Sequence, residues 1–77
     1  MDEYVELLIL AYFRNYQKSY SLTELKDSLG ISFGQLDGYL EQLQAERKLL
    51  FCDHMLQITQ EGMTQLLTSG MSNYGLQ

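Results

Sequence analysis

Few residues of this 77-residue chain could carry chemistry, and most of those that could are suited to binding. Cys52 is the only thiol and His54 the only histidine, two positions apart. A thiol beside an imidazole can act as nucleophile and base, but that needs a third group to orient the imidazole and a pocket for substrate. Neither accompanies this pair. A metal centre takes about four ligands, which two residues do not supply. Asp37 and Glu41 stand one helical turn apart, but a glycosidase-like carboxylate pair needs a cleft. They read as a solvated helix face. No catalytic, cofactor-binding or metal residue is assigned, and the chain is read as not an enzyme. The binding chemistry is plainer. Gln35 and Gln42 carry amides that can pair with adenine edges. Lys26, Arg47 and Lys48 can neutralise phosphates, and the Ser32 hydroxyl can reach one.

The elements that must position these residues are set by one short pattern, Ser-x-x-(Glu/Gln)-Leu, which occurs twice. The first copy is Ser21-Leu22-Thr23-Glu24-Leu25 and the second is Ser32-Phe33-Gly34-Gln35-Leu36. In a capping box the Ser hydroxyl accepts from the amide three residues on, and the Glu or Gln side chain reaches back to the Ser amide. Each copy therefore predicts a helix start. Gly30 can take the positive φ that ends the first of these helices. Two helices joined by a tight Gly-containing turn form a helix-turn-helix.

Length and composition bound the rest. The chain is long enough for one domain, read as residues 1–70, with 71–77 as a polar, Gly-containing tail. A domain this small gains from oligomerisation, so a homodimer is expected. No apolar run approaches the roughly 18 residues of a membrane span, so no membrane contact is expected. The acidic start argues against a secretory signal, and a lone Cys permits no internal disulfide. Together these point to a reduced, cytoplasmic setting, and Met1 with a short tail fits a whole protein. The net charge is −5, opposite to the basic footprint of most nucleic-acid binders.

In chain order, Asp2 to Gln17 predicts a first helix. Val5, Leu8, Ile9, Tyr12 and Tyr16 form its apolar face, Tyr4, Leu7 and Ala11 a second stripe, and Leu10 and Phe13 lie further round. Two readings of the second stripe stand: packing within the domain, or contact with another subunit. A second helix runs from about Leu22 to Ser28. A third runs from Phe33 to about Arg47, with Phe33, Leu36, Leu40 and Leu43 buried. Its opposite face carries Gly34, Gln35, Asp37, Gly38, Glu41, Gln42 and Ala45. Gly34 and Gly38 there fit close approach of another backbone, or else Gly34 sits cheaply in the first turn and Gly38 is drift. From Leu49 to Thr59 the alternation is β-type. With Asp53-His54 as a two-residue loop, Cys52 pairs with Met55, Phe51 with Leu56, Leu50 with Gln57 and Leu49 with Ile58. Leu49, Phe51, Leu56 and Ile58 then share the core face. A loop shifted by one residue would reassign the faces. Leu50, Cys52 and Met55 fall on the outer face. With Tyr4, Leu7 and Ala11 they form a candidate interaction surface, or else are covered by Met71, Tyr74 and Leu76 of the tail. Thr59 caps a last helix over about Gln60 to Thr68, with Met63, Leu66 and Leu67 inward.

This order, mainly α with one two-stranded β-hairpin, resembles the winged helix-turn-helix superfamily. The resemblance rests on Ser21-Leu22-Thr23-Glu24-Leu25, Leu29-Gly30-Ile31-Ser32, Leu40-Glu41-Gln42-Leu43, Leu49-Leu50, and Leu56-Gln57-Ile58-Thr59-Gln60-Glu61-Gly62 followed by Leu66. The last stretch is similar to the segment closing the wing in bacterial regulators of the multiple-antibiotic-resistance, arsenic-resistance and phenolic-acid-decarboxylase repressor types. The resemblance covers Ser21 to Leu67 and implies a transcription regulator. Helix 3 (32–47) would enter the major groove of double-stranded DNA and the wing (49–59) would touch its backbone or minor groove. The nucleic-acid-binding residues would be Lys26, Ser32, Gln35, Gln42, Arg47 and Lys48. The chain departs from the pattern in lacking cations on the exposed face of helix 3 and on the wing. Its alternative implication is a protein-interaction module with an acidic helix 3.

Overall fold

Alternating caps and stops divide the chain as the sequence predicts. The computed structural model describes residues 2–70. Four helices and two strands follow in the order α1 (Glu3–Asn15), α2 (Leu22–Leu29), α3 (Phe33–Ala45), β1 (Leu49–Cys52), β2 (Met55–Ile58) and α4 (Gln60–Thr68). The fold is mainly helical with one antiparallel hairpin, an order compatible with a winged-helix layout. The tail 71–77, with Met71, Tyr74 and Leu76, lies outside the described residues.

Both Ser caps form, but differently. At Ser32 the capping box is complete: its hydroxyl accepts from the Gln35 amide at 3.1 Å and its amide donates to Gln35 Oε1 at 2.9 Å. At Ser21 the hydroxyl accepts from the Glu24 amide at 3.2 Å, yet Glu24 does not reach back. The Ser21 amide donates instead to the Tyr12 hydroxyl at 2.7 Å, and that hydroxyl donates to the Ser21 carbonyl at 3.2 Å. A tertiary contact from α1 has replaced the local one.

The stops are equally physical. Beyond α2 the Gly30 amide donates to the Asp27 carbonyl and the Ile31 amide to the Lys26 carbonyl, with Gly30 at φ 69°. Beyond α3 the Arg47 amide donates to Gln44 and the Lys48 amide to Leu43, with Arg47 at φ 61°. Both are Schellman turns. The second ends α3 at Ala45, two residues before the predicted boundary, and holds an Arg in the left-handed region. That conformation costs an L-residue about 1 kcal/mol or more. Arg47→Gly is therefore expected to stabilise the domain by about 1 kcal/mol, read as a raised urea midpoint at unchanged slope.

The hairpin has the predicted register: Leu49 opposite Ile58, Leu50 opposite Gln57, Phe51 opposite Leu56 and Cys52 opposite Met55. Asp53 and His54 both have positive φ, 54° and 66°, the signature of a type I′ turn.

Packing around α1 differs from the sequence reading. Leu7, Ile9, Leu10, Ala11 and Phe13 are buried, whereas Val5, Leu8 and Tyr12 are only half-buried and Tyr16 is exposed. The residues placed furthest round are the centre of the core. The helix packs against α2, α4 and β2 together, so its most enclosed side is the one facing all three. It stops at Asn15, before Gln17. Leu7 and Ala11 consequently leave the candidate interaction surface. Those two residues of the second stripe pack within the domain, while Tyr4 stays exposed.

Four further residues expected inside lie at the surface: Phe33, Phe51, Met63 and Leu67. Phe33 is the first residue of α3 and projects from the helix tip, where the Lys26 ammonium sits 5.1 Å from its ring centroid. Phe51 shares a face with Leu49, Leu56 and Ile58 but lies on β1, the strand further from α1. Met63 and Leu67, one turn apart, flank the buried Leu66 on the outer side of α4. Tyr20, read as mere connector, crosses the core: its ring packs edge-on to Phe13 at 5.0 Å and its hydroxyl accepts from the Leu56 amide at 3.0 Å.

Gly62 is the close approach that the pattern of glycines conceals. A Cβ there would lie 2.6 Å from the Lys48 carbonyl oxygen and 2.8 Å from Ile58 Cγ1. Gly34, by contrast, has only Ser32 Oγ within reach, at 3.8 Å, so its own surroundings demand no glycine.

Candidate interaction surfaces

The nucleic-acid candidates occupy three places, and their polar groups are largely spent inside the chain. Lys26, in the last turn of α2, pairs with Asp27 at 2.6 Å while lying over Phe33. Ser32 and Gln35 engage each other in the capping box, which leaves the Gln35 amide nitrogen for other use. Gln42 donates its amide to Glu46 Oε2 at 2.7 Å. The Lys48 ammonium lies 3.0 Å from the other oxygen of that carboxylate. Arg47 is the exception. It is exposed on the turn after α3, and no side-chain partner for it occurs among the described residues. The structure brings Gln42, Glu46 and Lys48 into one chain of contacts; it leaves Lys26 and Ser32 at the far end of α3.

Lys48 also borders α4. It lines a shallow groove of about 560 Å³ along α4, with Glu3, Glu61, Gln65 and Thr68 among its neighbours. Electrostatics here are strained by like charges. Burial raises the Glu6 carboxyl above its usual value, and the nearby Glu46 pushes the same way against the pull of Lys48. Glu46 is held below its usual value by its hydrogen bonds from Gln42 and Lys48. A raised folded value means that the folded state holds a proton the unfolded chain has lost. Charged Glu6 thus opposes folding near neutrality, and the opposition fades as pH falls through its folded value. Glu6→Gln is expected to raise the urea midpoint near pH 7. The gain should be lost as the pH approaches the usual 4.5 and below, where both states protonate.

The exposed candidates of the other surface are Tyr4, Leu50 and Cys52, with Met55 half-buried. On β1, Leu50 and Cys52 on one face and Phe51 on the other form an exposed apolar set, as the alternation predicts. Phe51, 63% exposed, is its largest member. On α3, Gln35, Asp37, Glu41 and Gln42 are exposed as expected and carry no cation among them. A second recess, about 200 Å³, lies between α1 and α2 under Tyr12, Tyr16 and Leu29.

Among the described residues, no three His, Cys, Asp or Glu side chains are grouped to hold a metal ion. No helix among them is long and apolar enough to cross a membrane. No protein-family model matches the chain, and comparison with curated proteins and with solved structures returned no match.

Proposed function

We propose that this chain is a small winged-helix domain that binds a protein partner through its acidic α3 face and its apolar hairpin. The observation that carries this reading is the engagement of Lys26 and Lys48. Duplex binding depends on releasing counterions from phosphates, which requires cations presented to the groove. Here two of the three candidate cations are already neutralised by Asp27 and Glu46. The hairpin offers Leu50, Phe51 and Cys52 where a DNA-binding wing would offer Lys or Arg. Exposed apolar patches on small domains mark interaction sites.

A second reading follows from the helix order and the exposed Arg47: a dimeric transcription regulator contacting DNA through α3 and the hairpin. The two are separated by titrating a labelled random duplex, followed by fluorescence anisotropy, at about 50 and 200 mM salt. The protein-binding reading expects no duplex binding at the lower salt. Binding that falls by orders of magnitude across that range, and that is weakened by Arg47→Gly, would reverse the preference. The fold of that variant is expected to be secure, so its loss of affinity would report the lost charge.

A further inference from the structure

We infer that β1 is an open docking edge that accepts an extended, basic and apolar segment of another protein as a third strand. This rests on the protein-binding reading and specifies its site and the chemistry of its partner.

The phase of the ladder shows which backbone groups are unspent. In an antiparallel pair, hydrogen-bonded and non-hydrogen-bonded pairs alternate. The Thr59 amide donates to the Lys48 carbonyl at 3.0 Å, so residues 48 and 59 form a bonded pair. Two steps on, Leu50 with Gln57 and Cys52 with Met55 are also bonded pairs. Phe51 and Leu56 therefore point their N–H and C=O groups away from each other. The Leu56 side confirms the phase, because its amide turns outward to the Tyr20 hydroxyl at 3.0 Å. Phe51, on the other edge, has no corresponding partner among the described residues. Leu49 is fully buried, so the open part of the edge is centred on Phe51.

β1 is short, at four residues, but the other protections of natural edge strands are charge, proline or a bulge. Leu50, Phe51 and Cys52 carry none of these, and all three are exposed. An added strand supplies main-chain hydrogen bonds, while its side chains supply specificity. Charge decides between occupants. The chain is acidic overall, at −5. Asp53 stands at the end of the strand, Asp37 and Glu41 are exposed on α3, against which β1 packs, and Lys48 is neutralised. A second copy would bring the same negative surplus to the edge. A partner segment with Lys or Arg flanking β-branched or aromatic residues brings complementary charge.

The test is selection of displayed random 12-residue peptides on the immobilised full chain, with Phe51→Pro and Phe51→Thr as comparison proteins. Proline at an outward-facing edge position removes the N–H without breaking the ladder. Threonine removes the ring and keeps the donor. Cross-strand nuclear Overhauser contacts from residue 49 to 58 would verify the hairpin in each. The expected result is enrichment of basic, strand-forming peptides. Their affinity should fall at least about tenfold on Phe51→Pro and less on Phe51→Thr, and binding should protect the Phe51 amide from exchange. Selected peptides that bind Phe51→Pro undiminished would overturn the edge while leaving a protein-binding role. Acidic or neutral peptides would overturn the charge argument. Concentration-dependent self-association through β1 would replace the partner with a second copy. Absence of any selected peptide, together with salt-dependent duplex binding, would remove the protein-binding reading itself.

Discussion

Gly62→Ala is expected to destabilise the domain by about 2 kcal/mol, although alanine is the better helix former. Removing glycine from a helix gains up to about 1 kcal/mol, less in the first turn. Against this, the new methyl would sit 2.6 Å from the Lys48 carbonyl oxygen. That oxygen cannot swing aside freely, because it accepts from the Thr59 amide at 3.0 Å, the bond that starts the hairpin ladder. Thr59 is also the cap of α4, its hydroxyl accepting from the Gly62 amide at 3.2 Å and donating to the Arg47 carbonyl at 2.7 Å. The clash therefore loads the junction where α3, both strands and α4 meet. Overpacking typically costs about 1–3 kcal/mol, and a backbone obstacle puts this site at the upper end. For a domain of this size the net loss should lower the melting temperature by roughly 10 °C. Unchanged thermal and urea midpoints would show that α4 can shift without cost, and would remove Gly62 from the fold's requirements.

Phe13→Ala should cost more, about 3–5 kcal/mol, the range for truncating a buried aromatic. Phe13 is almost wholly enclosed and its ring touches both Tyr12 and Tyr20. Tyr12 caps the entry to α2 and Tyr20 holds the outward amide of β2. A cavity at Phe13 thus loosens two polar tethers as well as the apolar core. Total stability for a chain of this length is of the order of 4–12 kcal/mol, so the variant should lose a large share of it and unfold at a much lower urea concentration. Circular dichroism and urea titration measure this directly. Phe13→Leu, which retains most of the volume, should recover more than half of the loss. A loss for Phe13→Ala below about 1 kcal/mol would mean that the aromatic cluster does not organise the core.

The elements were legible in the sequence because their signals are local. A Ser hydroxyl three residues before a free amide, a Gly after an apolar run, and alternation broken by two residues each act within a few positions. Hence the caps at Ser21, Ser32 and Thr59, the stop at Gly30 and the full hairpin register could be read directly. The exposed polar face of α3 followed from helical periodicity.

Which apolar residue is buried was not local. Periodicity identifies a stripe on α1, but Leu10 and Phe13 became its centre because α2, α4 and β2 converge on that side. The same alternation puts Phe51 with Leu49, yet burial depends on how far the helices extend beneath the strand. The engagement of Lys26 and Lys48, and the closeness of Gly62 to Lys48, likewise join residues whose proximity only packing creates. The amino-acid sequence by itself determined where each helix and strand begins and where the chain turns, though α1 and α3 end two residues earlier than it indicated. The tertiary structure alone decided which faces and charges remain for a partner, because burial and charge pairing depend on distances between elements that no local spacing encodes.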